Sequence, residues 1–354
     1  MLNVAFTFDY ELFFGENNGT VEEILFSPTE ELLYLLDKYN IKATFFVDVL
    51  SVYMHNKYNL NNYCEIFCKQ IKKMIMKGHD VQLHIHSNWL MSKYKDGKWN
   101  FDLNSYRIHT FGFDDSADWS VQKIVAWGKK FLEDTLKPIN QNYKCIAFRA
   151  GGYCIQPHRD LFKVLLNNGI YIDSSVAIGQ KASYINEYDF TRVLKRAGWL
   201  IHANDEIENH STTYENTICE IPVFYNKTSL FKRIFLPNTE KTIKLINVKG
   251  TYIGQKQQNK ILNKSNKIKN LIKYINKKRL LSVDSLPFQA IIKSLKKEAR
   301  KLKKESNINT VAVIGHPKLI EQNWINNFEK VLQEFKKDNL LQDVTMREIY
   351  DINY

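Results

Sequence analysis

The sequence lacks any apolar run approaching the roughly 20 residues that a membrane-spanning helix needs. Its first residues, "MLNVAFTFDYELFFG", also lack the basic segment and the small-residue cleavage site of a secretory leader. Such a stretch is instead typical of a buried β-strand. We therefore expect a cytoplasmic protein.

Cysteine is scarce as well. The five cysteines stand at irregular spacings and form no C-x-x-C pair, so the sequence indicates neither a zinc knuckle nor a disulfide framework. Cys64 and Cys68 lie one helical turn apart, which favours a packing role for both. No internal repeat is present, so a solenoid or other repeat architecture is not indicated.

Positive charge dominates the chain, but it is concentrated in one segment. The net charge is +12, and residues 227–305 contain 22 Lys and Arg against four acids. The rest of the chain has more acids than bases. The sequence therefore predicts a mildly acidic body that carries one strongly basic segment.

Apolar, β-prone segments alternate with helical patterns along most of the chain. The predicted strands are 2–8, 41–49, 79–85, 145–152, 170–176, 199–203, 218–225 and 310–315. The predicted helices are 27–39, 63–77, 120–136, 158–167, 256–281, 286–305 and 318–337. Strands that alternate with helices through short loops predict an α/β fold with a parallel sheet or barrel.

Polar side chains recur where the predicted strands end. They are Asp9 and Glu11 after the first strand, His84 and His86 after the third, and then Arg149, Asp173 and His316. A lone acid at such a position is usually a turn former or helix cap. Since the carboxyl ends of parallel strands share one edge, however, the joint pattern favours a functional site.

The chemistry of this set is coherent. Carboxylate and imidazole groups together suit a divalent cation such as Zn²⁺. A second carboxylate can accept a proton from water, and a separate histidine can protonate a leaving group. An arginine can keep the proton-accepting carboxylate ionised. These are the groups that metal-assisted hydrolysis of an amide or ester requires.

Five blocks in order make the chain resemble the polysaccharide deacetylase family, also called carbohydrate esterase family 4 or the NodB-homology domain. They are "TFDYE" at 7–11, "HDVQLHIHSNW" at 79–89, "FRAGGY" at 148–153, "DSSV" at 173–176 and "VIGHPK" at 313–318. The resemblance implies a distorted (β/α)7-type barrel. Residues 1–225 and 306–354 would form this barrel, and residues 226–305 a basic, largely helical insertion before the last strand.

The resemblance also implies a role for each site residue. Asp9 would be the general base, with Arg149 orienting it and Asp173 supporting Arg149. His316 would protonate the leaving amine. Glu11 and His84 would hold a divalent metal, preferably Zn²⁺, with cobalt, nickel or manganese as alternatives. The site-lining residues would be Asn88, Trp89, Gly151 and Tyr153, the last with its backbone N–H facing the oxyanion.

One position departs from the family pattern. The second histidine of H-x-x-x-H would be residue 88, and this chain has Asn88 there. Three outcomes stay open: His86 completes the metal site, Asn88 and water complete a weaker one, or the site is degenerate. We favour His86, because strand alternation directs it to the same side as His84. His79 falls out of this alternation and is interpreted as structural.

The implied activity is removal of an N-acetyl, or alternatively N-formyl, group from an amino sugar in a polysaccharide or glycan precursor. The alternative is a weakened or inactive protein of the same fold that binds a glycan or an anionic lipid surface. The basic segment is either a solvated insertion or a surface for anionic lipid or a lipid-linked saccharide at the inner membrane surface. Nucleic acid is not expected as a partner, because no motif for it is present.

Overall fold

The structure is a computed structural model that describes residues 1–15, 17–227, 243–245, 247–251, 278–301 and 308–353. Its helices are α1 (Ser27–Lys38), α2 (Val49–Lys57), α3 (Asn61–Met76), α4 (Val121–Leu136), α5 (His158–Asn167), α6 (Phe288–Ala299), α7 (Gln322–Lys336) and α8 (Met346–Asn353). Its strands are β1 (Leu2–Tyr10), β2 (Thr44–Asp48), β3 (Asp80–Ile85), β4 (Lys93–Lys95), β5 (Lys98–Asn100), β6 (Ala147–Ala150), β7 (Ile172–Asp173), β8 (Lys181–Ser183), β9 (Glu187–Asp189), β10 (Trp199–His202), β11 (Thr217–Glu220), β12 (Tyr225–Lys227), β13 (Lys278–Leu280), β14 (Thr310–Gly315) and β15 (Leu341–Asp343).

One nine-stranded sheet organises the molecule. Its order is β10–β11–β7–β6–β3–β2–β1–β14, and β15 pairs with the beginning of β1. All the pairs are parallel except β10 with β11. The sheet curls into a half-barrel, so the mixed α/β barrel fold predicted from the sequence is confirmed.

Strand β1 shows how the sequence builds this barrel. Nearly all of its residues are buried, because one face meets helices and the other faces the barrel interior. Outside, Phe6 packs edge-on against Phe335 of α7 at 5.0 Å between ring centroids. Inside, Ala5 belongs to a smaller core cluster and Thr7 donates to the carbonyl of Val313. The interior face of β1 therefore continues from Ala5 and Thr7 towards residue 9.

The segment that precedes β12 runs beside β14. The amide of Ala312 donates to Pro222 O at 2.9 Å, and Phe224 donates back to Ala312 O at 3.2 Å. Val223 also bridges to Ala177. Residues after β13 run along the same strand, where Ser282 bridges to Ile314. These bonds bring residue 284 to the carboxyl end of β14.

Helix α1 starts at Ser27, as predicted, but a turn of π-helix over Glu22–Phe26 precedes it. A reciprocal cap lies before this turn, between Thr20 and Glu23. Glu23 N donates to Thr20 Oγ1 at 3.3 Å, and Thr20 N donates to Glu23 Oε2 at 2.9 Å.

Two predicted elements have the bounds found in the structure: the helix at 158–167 and the strand at 310–315. The other predicted elements differ by a few residues. Within 256–281, residues 278–280 form strand β13 and not helix, while 256–277 lie outside the described residues. The sequence did not indicate α2, α8, β15 or the hairpins β4–β5 and β8–β9. The division into barrel and insertion stays a prediction. Across the described part of the chain, no helix combines the length and apolarity needed to cross a bilayer.

Candidate active site

Six of the seven predicted polar residues meet at one edge of the sheet. Their strands β6, β3, β1 and β14 lie within one continuous run that also includes β2, and their carboxyl ends point the same way. All six side chains are largely or fully buried. The six residues are Asp9, Glu11, His84, His86, Arg149 and His316.

Glu11, His84 and His86 form a cluster of potential metal ligands. Glu11 Oε2 lies 3.0 Å from His84 Nε2 and 2.5 Å from His86 Nε2. One ligand atom from each residue lies within 4.8 Å of the others. Both imidazole rings face Glu11, so His84 and His86 point to the same side of the strand end.

The chemistry of these donors fits a divalent cation. His84 Nδ1 lies 2.8 Å from the carbonyl oxygen of Arg149, which can only accept, so Nδ1 carries a hydrogen. Nε2 carries the second hydrogen of the charged ring and donates it to Glu11 Oε2 at 3.0 Å. Burial alone would lower the pKa of His84, but Asp9 and Glu11 raise it to about 9. Cation binding at Nε2 is therefore expected to release a proton.

Gly151 makes room for the second imidazole. A Cβ atom at this position would lie 2.7 Å from His86 Nδ1 and 2.6 Å from Ile85 O. A larger residue would displace the ring from Glu11. Gly151, predicted as site-lining, thus shapes the site through the side chain that it lacks.

Lys318 is also part of the cluster, although no role was predicted for it from the sequence. Its Nζ donates to Glu11 Oε1 at 2.6 Å and to Leu12 O at 3.1 Å, and its side chain is fully buried. Burial would raise the pKa of Glu11, but Lys318 and the two histidines hold it well below its usual range. Glu11 is therefore ionised, with Oε1 bound to Lys318 and Oε2 facing the imidazoles.

Arg149 holds the second carboxylate, Asp9. Its Nη1 lies 2.5 Å from Asp9 Oδ1, and three further N–H groups donate to Thr7 Oγ1, Ser174 O and Ser174 Oγ over 2.8 to 3.0 Å. The guanidinium also lies over the ring of Phe46 at 4.2 Å. Burial opposes ionisation, but the Arg149 charge lowers the pKa of Asp9 below its usual value. Asp9 is therefore an ionised carboxylate in a fixed orientation.

Asp173 lies near Arg149 but makes its own hydrogen bonds elsewhere. Ser174 makes the hydrogen bonds to Arg149, whereas Asp173 accepts from Ser175 Oγ at 2.6 Å and Ser175 N at 3.1 Å. Against the larger effect of burial, the Arg149 charge still lowers the pKa of Asp173, so the role of Asp173 in supporting Arg149 stays a prediction. Burial raises the pKa of Asp173, which shares a hydrogen bond with the buried Glu220. Asp173 thus supports the backbone that carries Ser174.

His316 is bound to Asp284, which the sequence reasoning did not single out. The ring Nδ1 lies 2.7 Å from Asp284 Oδ2, and Nε2 lies 3.7 Å from Asp9 Oδ2 and 3.9 Å from Glu11 Oε1. Burial would lower the pKa of His316, but Asp284 raises it. Asp284 is one of only four acids in the basic segment 227–305. This isolation among basic residues is the sequence feature that could have indicated a role for it.

Asp48, at the end of β2, is a further acid that the sequence reasoning missed. It accepts from Trp89 Nε1 at 2.5 Å and from the backbone N–H of His86 at 3.3 Å. Burial raises its pKa to about 7. Trp89, predicted as site-lining, therefore packs behind the cluster and helps to fix the backbone of His86.

Asn88 and Tyr153 occupy unusual positions. Asn88 is fully buried, and within the described residues neither its amide oxygen nor its amide nitrogen has a hydrogen-bond partner.

Tyr153 has a φ of 63°, in the left-handed region, directly after Gly152 with a φ of 57°. Burial and then the charge of Asp9 raise the pKa of the Tyr153 phenol, which is therefore neutral. The neutral ring and its strained turn border the base.

Sequence comparison identifies a family for part of the chain. Residues 3–153 match the sequence model of the family described as polysaccharide deacetylase. No curated protein sequence matches the chain. The matched residues include Asp9, Glu11, His84, His86 and Arg149, whereas Asp284 and His316 lie beyond them.

Solved structures with a related chain path were also found. A candidate polysaccharide deacetylase from Mycobacterium smegmatis is 14% identical, with a TM-score of 0.48 and coverage of 99% of this chain and 88% of its own. The Puue allantoinase is 11% identical, with a TM-score of 0.49 and coverage of 99% and 89%. A candidate polysaccharide deacetylase from Pseudomonas aeruginosa PAO1 is 13% identical, with a TM-score of 0.46 and coverage of 99% and 90%. The match of residues 3–153 to the family model confirms the resemblance that the sequence motifs indicate.

Proposed function

We propose that the protein is a divalent-metal-dependent hydrolase that removes an N-acetyl group from an amino sugar in a polysaccharide or glycan precursor. N-formyl is the alternative acyl group. The family match supports a deacetylase function on carbohydrate. The observation that carries the proposal is the placement of an ionised base, Asp9, 3.7 Å from the ring of a proton-donating His316, beside the cluster of Glu11, His84 and His86.

Glu11, His84 and His86 are the residues that would hold the metal, and one carboxylate with two imidazoles suits Zn²⁺ or a similar ion. A divalent ion at such a site supplies Lewis-acid polarisation of a carbonyl and lowers the pKa of water. Lys318 keeps Glu11 ionised and holds one of its two oxygens. This chain's own contribution is thus a pre-oriented, charged set of donors.

The base and the acid divide the proton transfers of amide hydrolysis. Asp9 takes a proton from the water whose oxygen bonds to the acyl carbon. Arg149 keeps Asp9 ionised and oriented for this step. His316 then gives its Nε2 proton to the amide nitrogen as the carbon–nitrogen bond breaks. The products are a carboxylate and a free amino sugar, and Asp284 stabilises the protonated state of His316 before transfer.

Asn88 favours a second candidate, a protein of the same fold with weakened metal binding. An amide oxygen is a poorer ligand than imidazole for Zn²⁺. The buried amide also lacks a hydrogen-bond partner among the described residues, so it is not devoted to supporting the fold. Metal content measured by mass spectrometry separates the two: a stoichiometric divalent ion supports the enzyme, and none supports the weakened protein.

The basic segment supports a further part of the proposal, contact with an anionic lipid surface or a lipid-linked sugar at the inner membrane surface, in the cytoplasm. One face of α6 borders a cavity of about 760 Å³ with an apolar floor of Phe288 and Ile292. Its cationic side chains are Lys293, Lys296, Lys297, Arg300 and Lys301. Co-sedimentation with vesicles at low salt tests this, because Lys293→Glu with Lys297→Glu should reduce binding to anionic but not to neutral lipid. The exposed Lys130→Glu on α4 is the control.

Activity is tested by release of acetate or formate from a panel of N-acylated amino sugars, sugar nucleotides and lipid-linked sugars. We expect hydrolysis that a chelator abolishes and Zn²⁺ restores. Asp9→Asn should lower the rate by about 10²- to 10⁴-fold, as loss of a general base does. Asp160→Asn on the surface of α5 is the matched control. Full turnover by Asp9→Asn, or by metal-free protein, would contradict the proposal.

A further inference from the structure

A second cavity lies outside the candidate active site. It encloses about 970 Å³, at the upper end of the range of roughly 300 to 1,000 Å³ that is usual for ligand pockets. The loop after β1, the junction of α2 and α3, and the hairpin β4–β5 surround it. We call it the amide–aromatic pocket, and its principal residues are Asn61, Asn62, Tyr63, Tyr94, Trp99 and Asn100.

Aromatic rings form its walls, and neutral contacts hold them in place. Tyr63 stacks on His55 with 3.8 Å between ring centroids and 19° between planes. His55 Nδ1 donates to Ser51 O at 2.7 Å, which leaves Nε2 to accept from Trp99 Nε1 at 3.4 Å. Burial lowers the pKa of His55 to about 4, so the ring is uncharged at neutral pH. Tyr94 lies 5.1 Å from Trp99 and extends this wall.

Amide side chains form the rim of the same pocket. Asn61, Asn62 and Asn100 are exposed, and each amide offers two donors and one acceptor oxygen. Asn61 and Asn62 begin α3, but no side chain caps that helix. Their hydrogen-bonding capacity is therefore not used by the helix. Lys98 is the one formally charged residue among the described residues that line the pocket.

We propose that the amide–aromatic pocket binds a neutral stretch of a saccharide. A pyranose ring has an apolar face of C–H groups, which packs on flat aromatic surfaces such as Trp99 and Tyr94. Its hydroxyl groups both donate and accept hydrogen bonds, as amides do. A ligand with several charges would need several compensating charges, and among the described lining residues only Lys98 carries one. A large apolar ligand would leave the amide rim unsatisfied.

The pocket is separate from the proposed catalytic residues. Leu12, which lines the pocket, directly follows Glu11 in the chain. Between the imidazole of His86 and the pocket lies a layer of aromatic rings. The ring centroid of Phe14 lies 4.2 Å from that of His86. The centroid of Trp89 lies 5.6 Å from that of Phe14 and 4.9 Å from that of Trp99, which lines the pocket. A sugar unit in the pocket therefore cannot be the unit that reacts. The pocket holds a more distant part of the same chain, or another chain.

Calorimetric titration of the Asp9→Asn protein tests this, because the proposed function predicts that this variant turns over substrate too slowly to disturb the titration. The probes are neutral linear tetrasaccharides of N-acetylglucosamine, glucose, xylose and mannose. We expect one of them to bind, and the added double substitution Asn61→Ala/Asn62→Ala to weaken its binding at least tenfold. Tyr94→Ala should do the same. Gln322→Ala/Asn326→Ala, two exposed amides on α7, is the matched control and should leave binding unchanged.

The result also distinguishes the pocket from the catalytic function. When Asp9 is intact, the Asn61→Ala/Asn62→Ala variant should hydrolyse an acylated monosaccharide at the same rate as the wild type, because a monosaccharide is too short to reach the pocket from the catalytic residues. Saccharide binding by a protein without hydrolytic activity still supports the pocket. The proposal is overturned if none of the four tetrasaccharides binds, or if the pocket substitutions leave the affinity unchanged.

Discussion

Asp284 binds His316 twice, through the ring and through the backbone. Its Oδ2 accepts from His316 Nδ1 at 2.7 Å, and its Oδ1 accepts from His316 N at 3.0 Å. Trp324 Nε1 and Ser282 Oγ donate to the same carboxylate at 2.9 and 3.0 Å. One carboxylate thus fixes the tautomer of His316, its ring orientation and the main chain that carries it. Nε2 is left to face Asp9 and Glu11.

The first prediction concerns this pair. Asp284→Asn removes the anion that raises the pKa of His316, so His316 should lose its proton at lower pH. Because the proposed acid acts only when protonated, the alkaline limb of the profile of kcat/KM against pH should move to lower pH. Turnover at neutral pH should fall by about tenfold or more. An alkaline limb unchanged from the wild type would contradict the role of Asp284, and Asp160→Asn serves as the control.

The second prediction concerns Arg149 and Asp9. Arg149→Lys keeps a charge but cannot reproduce the four bonds to Asp9, Thr7 and Ser174. The pKa of Asp9 should rise, because burial then acts with less opposition. The acidic limb of the pH profile should therefore move to higher pH, while circular dichroism confirms the fold. Ser174→Ala, which removes one hydroxyl partner, should cause a smaller shift in the same direction.

The third prediction concerns Lys318. Lys318→Met leaves the buried carboxylate of Glu11 without its ammonium partner, and removal of one member of a buried pair costs about 3–5 kcal/mol. The metal-free variant should therefore melt well below the metal-free wild type in a thermal unfolding experiment. Zn²⁺ should raise the melting temperature more in Lys318→Met than in the wild type, since the cation then compensates Glu11.

The control for that experiment is Lys336→Met, which removes the cation of a surface pair with Asp343. It should change the melting temperature little, because exposed pairs contribute about 1 kcal/mol or less. Equal responses of Lys318→Met and wild type to Zn²⁺ would show that Lys318 does not compensate Glu11.

The fourth prediction concerns His79, which was interpreted as structural. Burial lowers its pKa to about 4 in the folded protein, whereas an unfolded histidine has a pKa near 6.5. Between these values the unfolded state binds more protons, so the free energy of unfolding decreases as pH falls through this window. In His79→Gln the loss between pH 7 and pH 4.5 should be smaller by about 2 kcal/mol.

Urea unfolding at pH 7 and at pH 4.5 measures this difference. The matched control is His202→Gln at the end of β10, which should lose stability on acidification as the wild type does. If His79→Gln lost as much stability as the wild type, protonation of His79 would not contribute to acid unfolding.

Sequence patterns could predict those site residues whose place in the site depends on a single strand. Asp9, His84 and Arg149 could be found because each stands at or near the end of an apolar run, where parallel strands present their side chains. Asp284 and Lys318 could not, because their importance arises from contacts with residues 32 and 307 positions away. Ser174 was passed over for Asp173 because a two-residue strand leaves the alternation of side chains undetermined.

Helix α2 shows a similar limit in the fold. Val49, Leu50, Val52 and Met54 are all buried, so the helix has no single apolar stripe that would give a 3.6-residue period. Its contacts with α3, α4 and β3 surround it with protein. The strand β15, in contrast, was missed because three residues are too few to show a pattern.

The antiparallel pair of Tyr225–Lys227 with Lys278–Leu280 means that the lysine-rich excursion departs and returns at one place. Between the two strands, residues 247–251 also contact the barrel: Asn18 N donates to Lys249 O at 2.8 Å, and Lys249 Nζ pairs with Glu23 at 2.7 Å. The register of β13 is set by the barrel as well, because Leu281 and Val283 continue it along β14 and bring Asp284 to His316. A slip of one residue in this register would therefore turn the carboxylate of Asp284 away from the imidazole of His316.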